Sequence, residues 1–126
     1  MSVAFRLCAA VFVLTVLAVL PGQAASGATS GPLRACTVGA QESRHLGPTY
    51  VTSLKVRDRT CTFGKQLVRA YYKCRVAHGG AAGRCPAKVL GFACRETREG
   101  ISIQFDAVVT CSRGTARVRH TYTQDT

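Results

Sequence analysis

Acid is what this chain has least of. Only 6 of its 126 residues are Asp or Glu, against 17 Lys and Arg, for a formal net charge of +11. The six are Glu42, Asp58, Glu96, Glu99, Asp106 and Asp125, and no two of them form a recognisable pair in the sequence. Acid–base catalysis uses paired groups whose surroundings drive their pKa values apart. The scarcity therefore weighs against a carboxylate-based enzyme. Cys-x-x-Cys is also missing, which removes the close ligand pair favoured by zinc and the redox dithiol. No serine sits in Gly-x-Ser-x-Gly. The glycine-alanine loop from Gly79 to Gly83 lacks the following Lys and Ser/Thr of a phosphate cradle, and no strand leads into it. Neither a metal nor a cofactor is expected, and there are no internal repeats.

One long apolar run exists, from Leu7 to Leu20. It follows a single early charge, Arg6, and is broken by Pro21-Gly22. The small residues Gln23-Ala24-Ala25-Ser26 then suit a signal protease. Residues 1–25 read as an export signal cleaved near Ala24. The run falls short of the roughly twenty apolar residues of a membrane span. Leu33-Arg34-Ala35-Cys36 is a poor acylation site, placed too far beyond the run.

What remains is about a hundred residues, enough for one domain with a modest core. Cys8 leaves with the signal. Cys36, Cys61, Cys74, Cys85, Cys94 and Cys111 remain, an even set behind an export signal, and read as three disulfides. Six cysteines allow fifteen pairings. The expected set is Cys94–Cys111, Cys74–Cys85 and Cys36–Cys61. Only the first rests on a strand argument; helix-to-sheet pairing stays open for the others.

The clearest element runs from Ile101 to Cys111. Ile101, Ile103, Phe105, Ala107, Val109 and Cys111 form an apolar row, with Ser102, Gln104, Asp106, Val108 and Thr110 opposite. This is read as the central strand. Residues 26–50 read as a flexible or loop-like arm carrying an exposed His45, and 51–126 as the domain. Val51 to Val56 suggests a short edge strand. Asp58 or Thr60 caps a helix whose Phe63, Leu67, Ala70, Tyr71 and Cys74 share a face. Gly79-Gly80 ends that helix. Lys88 to Thr97 is a strand, Glu96 to Gly100 the turn after it, and Ala116, Val118, His120 and Tyr122 line a last strand before a frayed tail at Gln124. The expected fold is α+β: one helix on a three- to four-stranded antiparallel meander, stapled by disulfides.

Thr60-Cys61 opening a basic helix, Gly91-Phe92-Ala93-Cys94, and Val108-Val109-Thr110-Cys111-Ser112-Arg113-Gly114 before a basic strand resemble small secreted cysteine-containing domains of actinobacteria. The likeness spans Val56 to Tyr122. It implies export and host type, not an activity.

A balance this basic suits anionic partners: cell-wall polymer, membrane surface or an acidic protein. It suits a merely soluble surface equally well. Lys65, Arg69 and Lys73 form a stripe on the helix, widened by Arg75 and by Arg57 and Arg59. Arg117 and Arg119 form a second basic row. These five, Lys65, Arg69, Lys73, Arg117 and Arg119, are the candidate binding residues, in a non-enzymatic secreted or cell-envelope domain. Nucleic acid is not expected behind an export signal. Two alternatives stand beside this. A small basic hydrolase of nuclease type would use Asp106, His120, Arg117 and Arg119, although strand parity separates His120 from Asp106. A protease inhibitor would present the disulfide-flanked segment Gly79 to Pro86.

Overall fold

The computed structural model describes residues 30–126; the leader read at residues 1–25, its cleavage point and Cys8 lie outside the described residues. The architecture is α+β, with five antiparallel strands in one sheet and one main helix laid across it. In chain order the elements are β1 (Arg34–Ala35), α1 (Ala40–Ser43), β2 (Tyr50–Arg57), α2 (Cys61–Ala77), a 3-10 turn (Gly80–Ala82), β3 (Ala93–Ile101), β4 (Gln104–Arg113) and β5 (Ala116–Asp125). The sheet order is β1-β2-β5-β4-β3. One strand more is present than the sequence suggests, and β5, not β4, lies at the middle.

Helix α2 starts because Thr60, in extended backbone, accepts a hydrogen bond from the Phe63 N–H through its side chain. That satisfies one of the four free donors of the first turn. Thr60→Ala is expected to cost about 1 kcal/mol, readable as a lower urea midpoint at an unchanged slope. The helix buries Gly64, Leu67, Val68, Tyr71 and Arg75. Gly64 is required by closeness: a Cβ there would stand 2.8 Å from Val56 Cγ1. The helix therefore sits directly on β2.

Beneath it the inward row of each strand alternates with an outward one. Leu54 and Val56 of β2, Val118, His120 and Tyr122 of β5, and Ala107, Val109 and Cys111 of β4 are buried. Three disulfides frame this core: Cys36–Cys61, Cys74–Cys85 and Cys94–Cys111. The last joins directly paired residues of β3 and β4.

Several sequence expectations are corrected. Of the arm expected at 26–50, the described part from residue 30 is not loose: β1 pairs with β2, the Cys36 N–H donates to the Leu54 carbonyl, and Leu46 is fully buried. The packed unit thus begins before residue 51, and β2 is an interior strand. Lys88 does not open a strand; Val89 and Phe92 instead close a tight turn with mutual backbone hydrogen bonds. Leu90 at its tip is forced to φ +48° and is exposed rather than core-facing. Glu96 to Gly100 is strand, and the turn falls at Ser102-Ile103. Ile101 and Ile103 consequently sit at the hairpin tip, two-thirds exposed, not in the core. The tail does not fray at Gln124, which is buried within β5.

Candidate functional site

Since α2 covers one face of the sheet, the other face is open among the described residues. Its side chains follow from strand register. At one end Arg57 of β2 lies directly opposite Arg117 of β5, and Lys55 opposite Arg119. Arg119 in turn faces Thr110, which faces Arg95 of β3. Five cations thus share one end of the face. Like charges directly opposite each other destabilise a sheet, each by roughly half a kcal/mol. Two such pairs side by side are not what stability alone selects.

The middle of the face is hydroxylic. A register shift between Val51 and Ser53 turns both Thr52 and Ser53 toward Thr121, at 2.6 and 2.7 Å. The far end is acidic: Glu99 lies directly opposite Asp106, whose carboxylate accepts the Thr123 hydroxyl. A shallow depression of about 470 Å³ runs here, lined by Thr52, Thr97, Asp106, Val108 and Thr121 among others. The open face is therefore polarised, with cations at one end and carboxylates at the other.

The five candidate residues do not come together. Arg117 and Arg119 belong to the open face, while Lys65, Arg69 and Lys73 ride on the far side of α2, on the other layer. Lys65 is committed to Glu42 at 2.8 Å. That hydrogen bond and charge hold the Glu42 carboxyl below the usual carboxylate range. The residues expected to widen the helix stripe go elsewhere. Arg57 joins the sheet face, bonding the Thr115 carbonyl. Arg59 lies over the rings of Phe63 and Phe92. Arg75 is fully buried. It donates to the Ala81 carbonyl and to Gln124 Oε1, and its guanidinium lies 4.6 Å from the centre of the Tyr122 ring. Lys55, Arg57 and Arg95 are the cations that sequence reasoning left out of the sheet patch. The pairing of β2 with β5 brings the first two in, and no local pattern announces that pairing.

The set proposed for a hydrolase is split by the sheet. His120 is on the covered face, 1% exposed, with neither ring nitrogen hydrogen-bonded among the described residues. Burial, helped by the Arg75 charge, lowers its pKa to about 3. Asp106 is on the open face. The two cannot act on one substrate atom. The segment Gly79 to Pro86 is largely exposed, but its Ala81, Ala82 and Gly83 carbonyls are taken by Arg75 and Arg98. Those groups are not free to pair with an extended protease strand.

The covered face holds one further polar group, missed from sequence. Glu96 on β3 has a side chain only 4% exposed. It accepts from the Tyr71 hydroxyl at 2.7 Å, from the Tyr122 hydroxyl at 2.8 Å, and from Arg98 Nε. Burial and this carboxylate push both phenols well above the ordinary tyrosine range. The cluster ties α2, β3 and β5 together, and all its hydrogen bonds are internal. Among the described residues no group of His, Cys, Asp and Glu could hold a metal ion, and no helix is long and apolar enough to cross a membrane. Compared with known proteins, the chain matches no family model, no curated sequence and no solved structure.

Proposed function

We propose that this is an exported domain that binds an anionic polymer chain of the cell envelope across the cationic end of the open face of its sheet. The observation that carries this reading is the pair of like-charged cross-strand neighbours, Arg57–Arg117 and Lys55–Arg119, with Arg95 beyond them. An anion lying across the two strands would neutralise repulsion that the fold itself leaves uncompensated. A row of cations running across the strands, Lys55–Arg119 and on to Arg95, suits a repeating anion better than a compact ligand. The disulfides support an oxidising compartment, and the apolar leader supports export.

Long-chain polyphosphate serves as a probe, with neutral dextran as the control. Wild-type protein is expected to bind polyphosphate with an affinity that falls steeply as salt rises. Lys55→Ala combined with Arg119→Ala should weaken binding by about tenfold or more, since removing two phosphate contacts forfeits most of their electrostatic attraction. Arg69→Ala combined with Lys73→Ala should change it little. Equal loss from both pairs would reduce the effect to net charge, and no loss from the sheet pair would overturn the assignment.

A further inference from the structure

The sheet has two outer strands, and they are unlike. β1 has two residues and is held by the Cys36–Cys61 disulfide just beyond it. β3 has nine residues, and its far edge is open: among the described residues no backbone group of β3 bonds the backbone of any element but β4. A long open edge is a template for another strand unless charge or proline blunts it. β3 contains no proline. Its charges, moreover, are arranged in a self-complementary way.

The middle of β3 reads Arg95-Glu96-Thr97-Arg98-Glu99. Laid antiparallel against itself about Thr97, every charge meets its opposite. Arg95 faces Glu99 of a second copy, Glu96 faces Arg98, and Thr97 faces Thr97. Moving the register by one residue places Arg95 against Arg98 or Glu96 against Glu99. Moving it by two places Glu96 or Arg98 against itself. The register centred on Thr97 makes four Arg–Glu contacts. A shift of three residues makes only two, Arg95 with Glu96 or Arg98 with Glu99, and sets open-face residues against covered-face ones, so charge favours the register centred on Thr97.

The two layers divide the work. Glu96 and Arg98 point to the covered face and already bond each other within the chain. Arg95 and Glu99 are exposed on the open face, and neither forms an ion pair among the described residues. Glu99 also stands directly opposite Asp106, a like-charged neighbour that an incoming arginine would offset.

We infer that the chain forms a two-fold symmetric dimer by antiparallel pairing of β3 with β3 of a second copy, centred on Thr97 and locked by two Arg95–Glu99 ion pairs. Such a contact is isologous and closes on itself. It joins the two sheets into one of ten strands, with both helices on one side and both open faces on the other. This inference does not depend on the polymer reading, which the Arg57–Arg117 and Lys55–Arg119 pairs carry; in the dimer Arg95 is committed to Glu99.

Charge reversal with mixing tests it. Sedimentation equilibrium or native mass spectrometry of the wild type should show a concentration-dependent dimer. Arg95→Glu and Glu99→Arg each turn both ion pairs into repulsions and should each weaken the dimer by at least about tenfold. An equimolar mixture of the two variants should form a heterodimer of wild-type strength, because each then supplies the charges the other lacks. That result also shows that both variants are folded. A wild type that stays monomeric, single variants that dimerise normally, or a mixture that does not associate would each overturn the proposal.

Discussion

Glu96→Ala is expected to remove about 3–5 kcal/mol of stability, the range seen when one partner of a buried ion pair is deleted. The carboxylate is the acceptor for three donors, of which only Arg98 bonds other groups as well, the Ala82 and Gly83 carbonyls. The Tyr71 and Tyr122 hydroxyls both end on it, and the Arg98 guanidinium sits beside it at 12% exposure. Removing it leaves two phenols without their acceptor under α2 and leaves the Arg98 cation without its counter-charge, held only by the Ala82 and Gly83 carbonyls. Each unsatisfied group then carries its own desolvation cost of about 1–3 kcal/mol. Tyr71→Phe or Tyr122→Phe removes donor and bond together and should cost only about 1 kcal/mol each. Domains of this size are stable by about 5–15 kcal/mol, so the glutamate variant would forfeit a large fraction. Urea unfolding with the disulfides intact measures it. A loss no larger than that of either tyrosine variant would mean the carboxylate is not the centre of the cluster.

Acid should destabilise the fold through His120. The buried ring takes a proton only near pH 3, whereas in the unfolded chain it does so near pH 6.5. Between these values the unfolded state binds more protons. Stability is therefore fully present above pH 6.5 and declines as pH falls toward 3. The slope approaches about 1.4 kcal/mol per pH unit, on the order of 5 kcal/mol in all. The ring cannot escape by bonding a neighbour: it stands edge-on to Tyr71 and stacked on Tyr122, and the nearby charge is the Arg75 cation. His120→Phe keeps an aromatic ring there and removes the titration. The difference in unfolding free energy between the two proteins, taken at pH 7, 5.5 and 4, should shift steadily in favour of the variant. A pH-independent difference would show that the imidazole titrates no differently once folded.

These buried groups also explain where the sequence could and could not be read. Alternation in β4 and β5 is plain, because Phe105 to Cys111 and Ala116 to Tyr122 put apolar or aromatic side chains inward at every second position. The helix is equally plain from Thr60 and the Leu67–Tyr71 spacing. β3 was hidden by its own chemistry. Its inward residues after Cys94 are Glu96 and Arg98, so Glu96 to Gly100 looks like a charged turn. Arg75 misleads in the same way: it sits on the buried helix face but reads as part of a solvated stripe. In each case a satisfied polar group stands where the period requires an apolar one. The end of the strand was displaced too. Gly100 does take a positive φ, +142°, but the chain runs on to Ile101 before turning.

The open face was legible only in halves. Arg117 and Arg119 show their parity within one strand. Lys55 and Arg57 join them through a contact between strands about sixty residues apart, which hydrophobic periodicity does not encode. The arm hides its order for a related reason. A two-residue strand has no period, and β1 owes its place to the neighbouring Cys36 staple and to the β2 backbone.

The three cross-links join each cysteine to the next one along the chain, over separations of 25, 11 and 17 residues. No staple encloses a cysteine belonging to another. A polypeptide delivered N-terminus first would meet each correct partner before the next rival thiol emerges, so oxidation in step with delivery bypasses the other fourteen pairings. Maturation of this domain would then need an oxidant but little reshuffling, and a chain reduced and reoxidised at full length would face a scrambling problem that the nascent one never meets.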